Sequence, residues 1–254
     1  MQLTGKRMWL IGASSGIGAA LTPDLVREGV VLAISSRNAT ELNNVASIAE
    51  RFGTRPLVKP LDVTDAEALK RVHDELVAEW GRIDVLFYNS GVWLPVRVED
   101  FDAENAARQV EVNLTGMMRA VGTVVSEMVA RREGEIVGMA SIAGYRGYPR
   151  AAGYSSSKAG AIAFLQSIRM DLKIYNVGVT TVNPGFVRTP LAGLESKAPF
   201  VINADKASRL IVKGLLGGKT EIHFPKRMSW PLKLITALPG PIYEGLARRF
   251  MRNR

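Results

Sequence analysis

Short apolar runs alternate with longer segments of helical spacing along almost the whole chain. The apolar runs are too short for helices, which predicts buried strands at Arg7–Ile11, Val30–Ser35, Pro56–Leu61, Val85–Tyr88, Glu135–Ala140, Val177–Val182 and Glu221–Phe224. The periodicity between them predicts helices at Gly16–Glu28, Thr40–Arg51, Asp65–Trp80, Asn105–Arg132, Tyr154–Tyr175 and Asp205–Leu216. Apolar strands separated by helices are typical of a parallel sheet covered on both faces. The pattern therefore predicts an α/β fold, a doubly wound parallel sheet in three α/β/α layers.

The composition is that of one globular domain. Of the 254 residues, 47% are apolar, which supplies a sizeable core. The absence of cysteine excludes disulfides, thiolate metal sites and a cysteine nucleophile. No apolar run reaches the ~18 residues of a membrane span, and no signal peptide precedes the first strand, so we expect a cytoplasmic protein with residues 1–254 in a single domain. His73 and His223 join no cluster of ligand residues, so no metal site is expected.

Basic residues are concentrated near the C-terminus. The formal net charge is +9, and residues 226–254 hold seven basic residues and one acidic residue, so they contribute +6 and the rest of the chain +3. A nearly neutral body argues against nucleic-acid binding. Residues 226–254 form a basic amphipathic extension, with Ile242, Tyr243, Leu246 and Phe250 near one helical face. A solvated end, a peripheral contact with an anionic membrane, a cap on the substrate pocket and a subunit interface all remain open.

A glycine-rich turn joins the first strand to the first helix. Residues 12–18 read Gly-Ala-Ser-Ser-Gly-Ile-Gly and open directly into the helix. Glycine lets backbone N–H groups approach a phosphate closely, and the helix N-terminus adds unpaired donors and partial positive charge. An ordinary strand–helix turn can also be rich in glycine, but this position favours a dinucleotide pyrophosphate. The candidate residues are Gly12, Ser14, Ser15, Gly16, Ile17 and Gly18.

The G-x-x-x-G-x-G spacing of this turn resembles that of the short-chain dehydrogenase/reductase family. Further motifs of that family follow in order over nearly the whole chain: Asp62-Val63, Asn89-Ser90-Gly91, Asn113, Ser141, Tyr154-x-x-x-Lys158, Asn183-Pro184-Gly185 and Thr189. A lone Tyr-x-x-x-Lys pair carries little weight, whereas the ordered set, each member at a strand end or on the expected helix, is specific. The sequence departs from the pattern at Ile11, Tyr88 and Ser90, where the family often has threonine, asparagine and alanine. In the family these side chains usually brace the turn and the fourth strand, so the departures affect stability more than the catalytic chemistry.

The resemblance implies a Rossmann-type oxidoreductase that transfers a hydride between a nicotinamide cofactor and the carbonyl or alcohol of a small molecule. It assigns catalysis to Asn113, Ser141, Tyr154 and Lys158. It adds to the cofactor site Asp62, Val63, Asn89, Ser90, Gly91, Tyr154, Lys158, Pro184, Gly185, Val187 and Thr189. It also implies a homodimer or homotetramer in which helices 105–132 and 154–175 pair across a two-fold axis, and a mobile segment over the substrate at roughly residues 191–202.

Tyr154 and Lys158 lie four residues apart and therefore share a helix face. A free tyrosine has a pKa of about 10, and a neighbouring ammonium favours the phenolate, which eases proton exchange with a substrate oxygen. By resemblance, Ser141 orients that oxygen, Lys158 also binds the nicotinamide ribose, and Asn113 holds a water that connects Lys158 to solvent. Taken singly, Asn113 could instead kink its helix, and Ser141 could be a turn residue.

The end of the second strand indicates which dinucleotide binds. Its residues, Ser35-Ser36-Arg37-Asn38, include no carboxylate to accept a ribose 2′-hydroxyl, whereas Arg37 offers a fork of donors suited to a 2′-phosphate. An exposed arginine after a strand is the plain alternative. The pattern resembles that of the NADP(H)-preferring members of the family, so we expect NADP(H), with Arg37 and Asn38 at its phosphate.

Apolar and aromatic residues flank the catalytic set. Trp93, Tyr145, Tyr148 and Phe186 predict a hydrophobic substrate wall, although packing among the loops would explain them equally well. The leading hypothesis is an NADP(H)-dependent carbonyl reductase. The alternatives are a membrane-associated reductase of a lipid-type ketone and a non-catalytic NADP(H) sensor, and the intact catalytic set argues against the sensor.

Overall fold

Seven parallel strands form the central sheet within the part of the chain that the computed structural model describes, residues 1–192, 200–236 and 238–245. They are β1 Arg7–Ile11, β2 Val31–Ser35, β3 Leu57–Val58, β4 Val85–Tyr88, β5 Gly134–Met139, β6 Val177–Pro184 and β9 Glu221–Phe224. Their order is β3-β2-β1-β4-β5-β6-β9, and β7 Val187–Arg188 pairs separately with β8 Ile202–Asn203. The order reverses between β1 and β4, so a crevice opens beyond the carboxyl ends of these strands.

Helices cover both faces of the sheet. They are α1 Gly16–Arg27, α2 Ala39–Ala49, α3 Ala66–Trp80, α4 Ala103–Val110, α5 Gly116–Arg131, α6 Ala152–Leu172, α7 Ala204–Leu216 and α8 Lys226–Thr236. Helices α1, α2 and α7 bury apolar side chains against one face, and α3, α5 and α6 bury theirs against the other. The predicted doubly wound α/β/α architecture is therefore confirmed.

Local sequence signals explain most of the element boundaries. The Asp65 side chain accepts a hydrogen bond from the Ala68 N–H at the start of α3, and Gly81 ends that helix with φ of +79°. Strand β3 is shorter than the predicted Pro56–Leu61. Although the N–H groups of Lys59 and Leu61 bond to the β2 side, Pro60 between them has no N–H to donate, so regular pairing stops.

The predicted helix Asn105–Arg132 is one helical run that starts earlier and contains an irregular turn. It begins at Ala103 because the Asp102 side chain accepts a hydrogen bond from the Asn105 N–H at 2.9 Å. Residues Glu111–Thr115 form a π-helical turn between α4 and α5. Such turns insert one residue into a helix and often mark functional positions, and Asn113 lies at the centre of this one.

The C-terminal end folds back on the sheet. Helix α8 packs against β9, and residues 240–245 are also helical. Among the described helices, none is long and apolar enough to cross a membrane. Leu246, Phe250 and most of the segment expected to be mobile, residues 193–199, lie outside the described residues.

Candidate active site

The glycine turn packs tightly against the segments that follow β4. Gly12 has φ of +93°, and a Cβ there would lie 2.5 Å from the Ser90 backbone nitrogen. A side chain at Gly18 would overlap the Gly12 carbonyl oxygen, so Gly18 sets the packing of the turn and does not line the cleft. The turn therefore presents bare backbone at the point where β1 and β4 end.

The residues next to this turn brace it. Asn89 Nδ2 donates to the Gly12 carbonyl oxygen at 2.6 Å. The Tyr88 hydroxyl donates to the Val112 carbonyl oxygen at 2.5 Å, inside the core. Tyr88 therefore links β4 to the π-helical turn, which gives a bracing role to one of the residues that depart from the family pattern.

A cleft of about 840 Å³ lies beyond the carboxyl ends of the strands, which is large enough for a dinucleotide. Most predicted cofactor residues line it: Gly12, Ser14, Ser15, Gly16, Ile17, Arg37, Asn38, Asp62, Val63, Asn89, Ser90, Gly91, Tyr154, Lys158, Pro184 and Thr189. The Ser15 side chain does not cap α1, so the first-turn N–H groups at Gly16 and Ile17 keep their capacity to bind an anion. The open helix end and bare glycine turn fit a pyrophosphate.

Besides Gly18, two predicted cofactor residues take other positions. The Val187 side chain is buried in the apolar cluster that also contains α7. Gly185 packs closely, since a Cβ there would lie 3.1 Å from Ile142 Cδ1 and 3.3 Å from Met228 Sδ. The Val187 side chain faces the core because of the alternation on β7, and the assignment of both residues to the cofactor site stays a prediction.

The end of the cleft beyond β2 carries two arginines and a carboxylate. Arg37 Nη1 lies 4.0 Å from Asp62 Oδ2, and Arg108 lines the same region. Burial raises the pKa of Asp62, but hydrogen bonds from Thr64 and the charges of Arg37 and Arg108 outweigh it, so the pKa lies below its usual value. The sequence analysis missed Arg108, since it lies on α4 and not at a strand end.

Tyr154 and Lys158 share one face of α6, as predicted. Lys158 Nζ lies 5.8 Å from the centre of the Tyr154 ring and donates to the Met139 carbonyl oxygen at 2.9 Å. Burial lowers the pKa of Lys158 to about 7. Burial raises the pKa of Tyr154, and a hydrogen bond with Ser141 opposes that rise. The expected lowering of the Tyr154 pKa by Lys158 does not appear here, because burial has the larger effect on the Tyr154 pKa. Burial also lowers the pKa of Lys158, so less of the lysine is charged at neutral pH.

Ser141 joins the end of β5 to the catalytic face of α6. Its Oγ accepts a hydrogen bond from the Ala143 N–H at 3.1 Å and lies 3.4 Å from the Pro184 carbonyl oxygen. It also bonds to Tyr154. Ser141 therefore begins a turn and also contacts the candidate proton donor, while its role in orienting a substrate oxygen stays a prediction.

Asn113 holds the segment after β4 in place. Its Oδ1 accepts from the Val92 N–H at 2.7 Å, and its Nδ2 donates to the Val92 carbonyl oxygen at 3.0 Å and to Ser157 Oγ at 2.9 Å. Ser157 in turn donates to the Tyr154 carbonyl oxygen at 2.8 Å. Asn113 thus ties the π-helical turn to α6, and its predicted water relay stays a prediction.

Gln109 repeats this contact one turn earlier, and sequence reasoning missed it. Its Oε1 accepts from the Leu94 N–H at 3.0 Å, and its Nε2 donates to the Leu94 carbonyl oxygen at 2.9 Å. Gln109 and Asn113 therefore hold alternate residues of the segment that carries Trp93. The signal that the sequence offered for this role was an amide side chain four residues before Asn113, on the same helix face.

The predicted substrate residues divide into two groups. The Trp93 ring meets Tyr154 edge-on with centroids 6.5 Å apart, and Tyr148 is partly exposed, so both remain candidates. Phe186 is half-buried beside β7. Tyr145 is different, since its hydroxyl donates to Glu221 Oε1 at 3.0 Å and it lines a separate cavity of about 270 Å³ between α6, β6, β9 and α8. Tyr145 is therefore turned toward Glu221 and not among the residues that line the cleft, and its place in a substrate wall stays a prediction.

Comparison with known proteins agrees with this geometry. The family model for short chain dehydrogenases matches residues 6–199. The chain belongs to the short-chain dehydrogenase/reductase family. Over 250 residues it is 35% identical to a protein of Myxococcus xanthus described as an uncharacterized oxidoreductase, covering 98% of each chain. It is also 35% identical over 196 residues to the 3-oxoacyl-[acyl-carrier-protein] reductase FabG of Thermotoga maritima, covering 75% of this short-chain dehydrogenase and 78% of FabG.

Solved structures of other short-chain dehydrogenases share the fold. A Burkholderia cenocepacia enzyme in complex with NADP superposes with a TM-score of 0.84 at 24% identity, covering 97% of this chain and 99% of that one. A Burkholderia phymatum enzyme in complex with NAD gives the same TM-score at 20% identity, covering 92% and 94%. These likenesses agree with the fold, and the family match makes the present protein an oxidoreductase of this family.

Proposed function

We propose that the protein is an NADP(H)-dependent oxidoreductase that interconverts the carbonyl and alcohol forms of a substrate with an apolar body. The observation that carries the proposal is the convergence of Ser141, Tyr154 and Lys158 beside the cleft that also contains the glycine turn and Arg37. A protein that only sensed the dinucleotide would need the turn and Arg37 but not the other three. The edge-on contact of Trp93 with Tyr154 supports an apolar substrate, since it puts an indole next to the proton donor.

The side chains have distinct roles in the reduction. A bound nicotinamide supplies the hydride. Tyr154, whose pKa is raised, stays protonated at neutral pH and gives its proton to the substrate oxygen. Ser141 hydrogen-bonds the same oxygen and orients it. The amino group of Lys158, close to the Tyr154 ring, stabilises the phenolate that remains.

The preference for NADP(H) rests on the end of β2. Arg37 is 64% exposed at the rim of the cleft, free to turn from Asp62 toward a phosphate, and β2 ends without a carboxylate. A charge-assisted, two-pronged contact of this kind is among the stronger hydrogen bonds in proteins. Solved relatives contain either NADP or NAD, so this residue decides the choice in the proposal.

Cofactor titrations and turnover of a ketone panel test the proposal together. Tyr154→Phe should bind NADPH as the wild type does and lose ~10²–10⁴-fold in turnover, because only the proton donor is removed. Wild type should bind NADPH at least about tenfold more tightly than NADH, and Arg37→Asp should reverse the order. Arg51→Asp, on the exposed turn after α2, is the matched control. Equal affinities in wild type would reject the NADP(H) preference, and near-normal turnover by Tyr154→Phe would reject the mechanism.

A membrane-associated form of the same activity is the second candidate. Trp230 and Leu234 lie one helical turn apart on α8 and are 56% and 71% exposed, and Ile242 is 53% exposed. Lys226 and Lys233 lie 6.0 Å and 5.9 Å from the Trp230 ring. Exposed aromatic and basic side chains together suit an anionic lipid surface. Cosedimentation with anionic but not neutral vesicles at low salt tests it.

A further inference from the structure

Two buried amide side chains hold the segment that follows β4 at two points. Gln109 lies just before the π-helical turn and Asn113 lies within it, and both are fully buried. Asn113 bonds both the N–H and the carbonyl oxygen of Val92. Gln109 bonds the same two groups of Leu94. An amide that pairs with both backbone groups of a residue fixes that residue as a neighbouring strand would, so Trp93 is held from either side.

Gln109 also packs against the first turn of α6. A Cβ at Gly153 would lie 2.8 Å from Gln109 Nε2, so the lack of a side chain there makes room for the amide. The same Nε2 donates to the Asn105 carbonyl oxygen at 3.2 Å, which fixes the orientation of the amide. Tyr154 follows Gly153 directly. Gln109 therefore lies between the 92–94 segment and the helical turn that carries the candidate proton donor.

The residue between the two held positions, Trp93, meets that proton donor. Its side chain is 38% exposed and lies edge-on to the Tyr154 ring, with the centroids 6.5 Å apart. Tyr154 is half-buried, and burial raises its pKa. An indole beside a half-buried phenol keeps water from part of the phenol, and a phenol with less water around it holds its proton more tightly. The position of Trp93 therefore bears on proton donation.

We propose that Gln109 is a positioning residue for the reduction. By holding Leu94, it keeps the Trp93 indole against Tyr154 and so limits the access of water to the proton donor. The inference rests on the proposed function and adds to it a residue outside the catalytic set. Gln109 is not among the residues that line the cleft, so its effect on the reaction passes through the 92–94 segment.

The pH dependence of kcat/KM for ketone reduction by the full chain with NADPH is the first test. Tyr154 donates only while it is protonated, so activity is present below its pKa and is lost as the pH rises through it. Gln109→Leu fills a similar space but leaves both groups of Leu94 without their partner. It should let water reach Tyr154 and move the loss at high pH downward by about one pH unit. Ser208→Ala, which removes a buried hydrogen bond to Asp24 on the opposite face of the sheet, is the matched control and should leave the profile unchanged.

Gln109→Glu gives a readout that a purely structural role would not move. The ionised carboxylate still accepts from the Leu94 N–H but cannot donate to the Leu94 carbonyl oxygen, whereas the protonated acid restores both contacts. Burial beside carbonyl oxygens raises the pKa of this carboxyl. The kcat/KM of Gln109→Glu should therefore be about tenfold below that of the wild type at pH 8, and it should recover toward the wild-type value at pH 6. Gln109→Leu should show no such recovery.

A double substitution tests whether Gln109 acts through Trp93. Trp93→Ala should move the high-pH loss in the same direction as Gln109→Leu, and adding Gln109→Leu to it should change the profile little further. Additive shifts in the double variant, or an unchanged profile in folded Gln109→Leu, would overturn the inference while leaving the proposed function intact. If Gln109→Leu does not fold, the recovery of Gln109→Glu at low pH decides, and its absence rejects the inference. A wild type that reduces no ketone with NADPH would overturn both the inference and the proposed function.

Discussion

Lys158 combines burial with a charge that the proposed reaction needs. Its amino group is held by the Met139 carbonyl oxygen, and burial lowers its pKa to about 7. An unfolded lysine keeps a pKa near 10.4, so between these values the unfolded chain binds more protons than the folded protein. Stability therefore rises with pH from about 7 to about 10 through this residue and is flat below 7. The lysine lowers the stability of the fold at neutral pH.

Replacing Lys158 should reveal this cost. Lys158→Met should unfold at a higher urea concentration than the wild type at pH 7, and the difference should shrink toward pH 10, with an upper limit on the order of several kcal/mol. Lys173→Met, at an exposed position after α6, should show no such pH-dependent difference. Urea midpoints at pH 7, 8.5 and 10 measure it. A pH-independent difference between Lys158→Met and wild type would contradict the low pKa.

The residues of the site differ in how far the sequence determines them. Ser141, Tyr154 and Lys158 could be predicted because the resemblance to the family assigns them, and each stands at a strand end or on the expected helix, where such side chains can meet. Tyr145 could not, because a loop tyrosine can turn to either side and only the folded position of Glu221 decides. The Tyr154 pKa could not be predicted either. The spacing of Tyr154 and Lys158 indicates that the lysine charge lowers this pKa, whereas the burial that raises it depends on the whole fold.

At the scale of elements, α6 owes its position to a close approach to α4. A Cβ at Gly153, in the first turn of α6, would lie 2.8 Å from Ala106 Cα and 2.9 Å from its carbonyl oxygen. Both are backbone atoms that cannot turn aside. Since Tyr154 follows directly, any displacement of this turn moves the candidate proton donor.

Alanine substitutions at two helical glycines test this. Gly153→Ala should destabilise the protein by ~1–3 kcal/mol through overpacking and reduce turnover. Gly122→Ala, at an exposed site in α5 with no atom within 4 Å of its added Cβ, should stabilise by up to ~1 kcal/mol and leave turnover unchanged. Urea unfolding and kcat measure both. Similar effects of the two substitutions would mean that the α4–α6 contact is not tight.

The elements themselves were largely predictable, and the exceptions have physical causes. The seven strands and their flanking helices follow from the spacing of apolar residues and from helix-capping residues such as Asp65 and Gly81. The early end of β3 depends on Pro60, which the sequence contains but whose effect depends on strand pairing. The π-helical turn around Asn113 was not predictable, because one inserted residue hardly disturbs the spacing of apolar positions over a helix this long.

At the scale of the whole molecule, the basic charge of residues 226–254 did not predict where this C-terminal segment lies. The sequence left a solvated end, a membrane contact, a pocket cap and a subunit interface open. In the described part, Lys233 pairs with Glu221 and Lys226 lies 2.8 Å from His223 Nε2, so part of the positive charge is used inside the molecule. The position of this segment depends on contacts between residues about 90 positions apart, such as Arg146 with Thr236, and no local sequence pattern predicts such contacts.

The outer face of α6 bears on assembly. It presents small residues at Ala159 and Ala163 and ends in Met170, which is 71% exposed. Small side chains let a second helix approach closely, and a two-fold axis along this face would cover the methionine in both copies. We therefore predict a homodimer or homotetramer, with a mass near two or four times 27.7 kDa. Ala163→Arg should shift the mass to the monomer, because its side chain would meet its own copy across the axis, whereas Asn44→Arg on the exposed face of α2 should not. Light scattering at micromolar concentration measures both, and a monomeric wild type would exclude this interface.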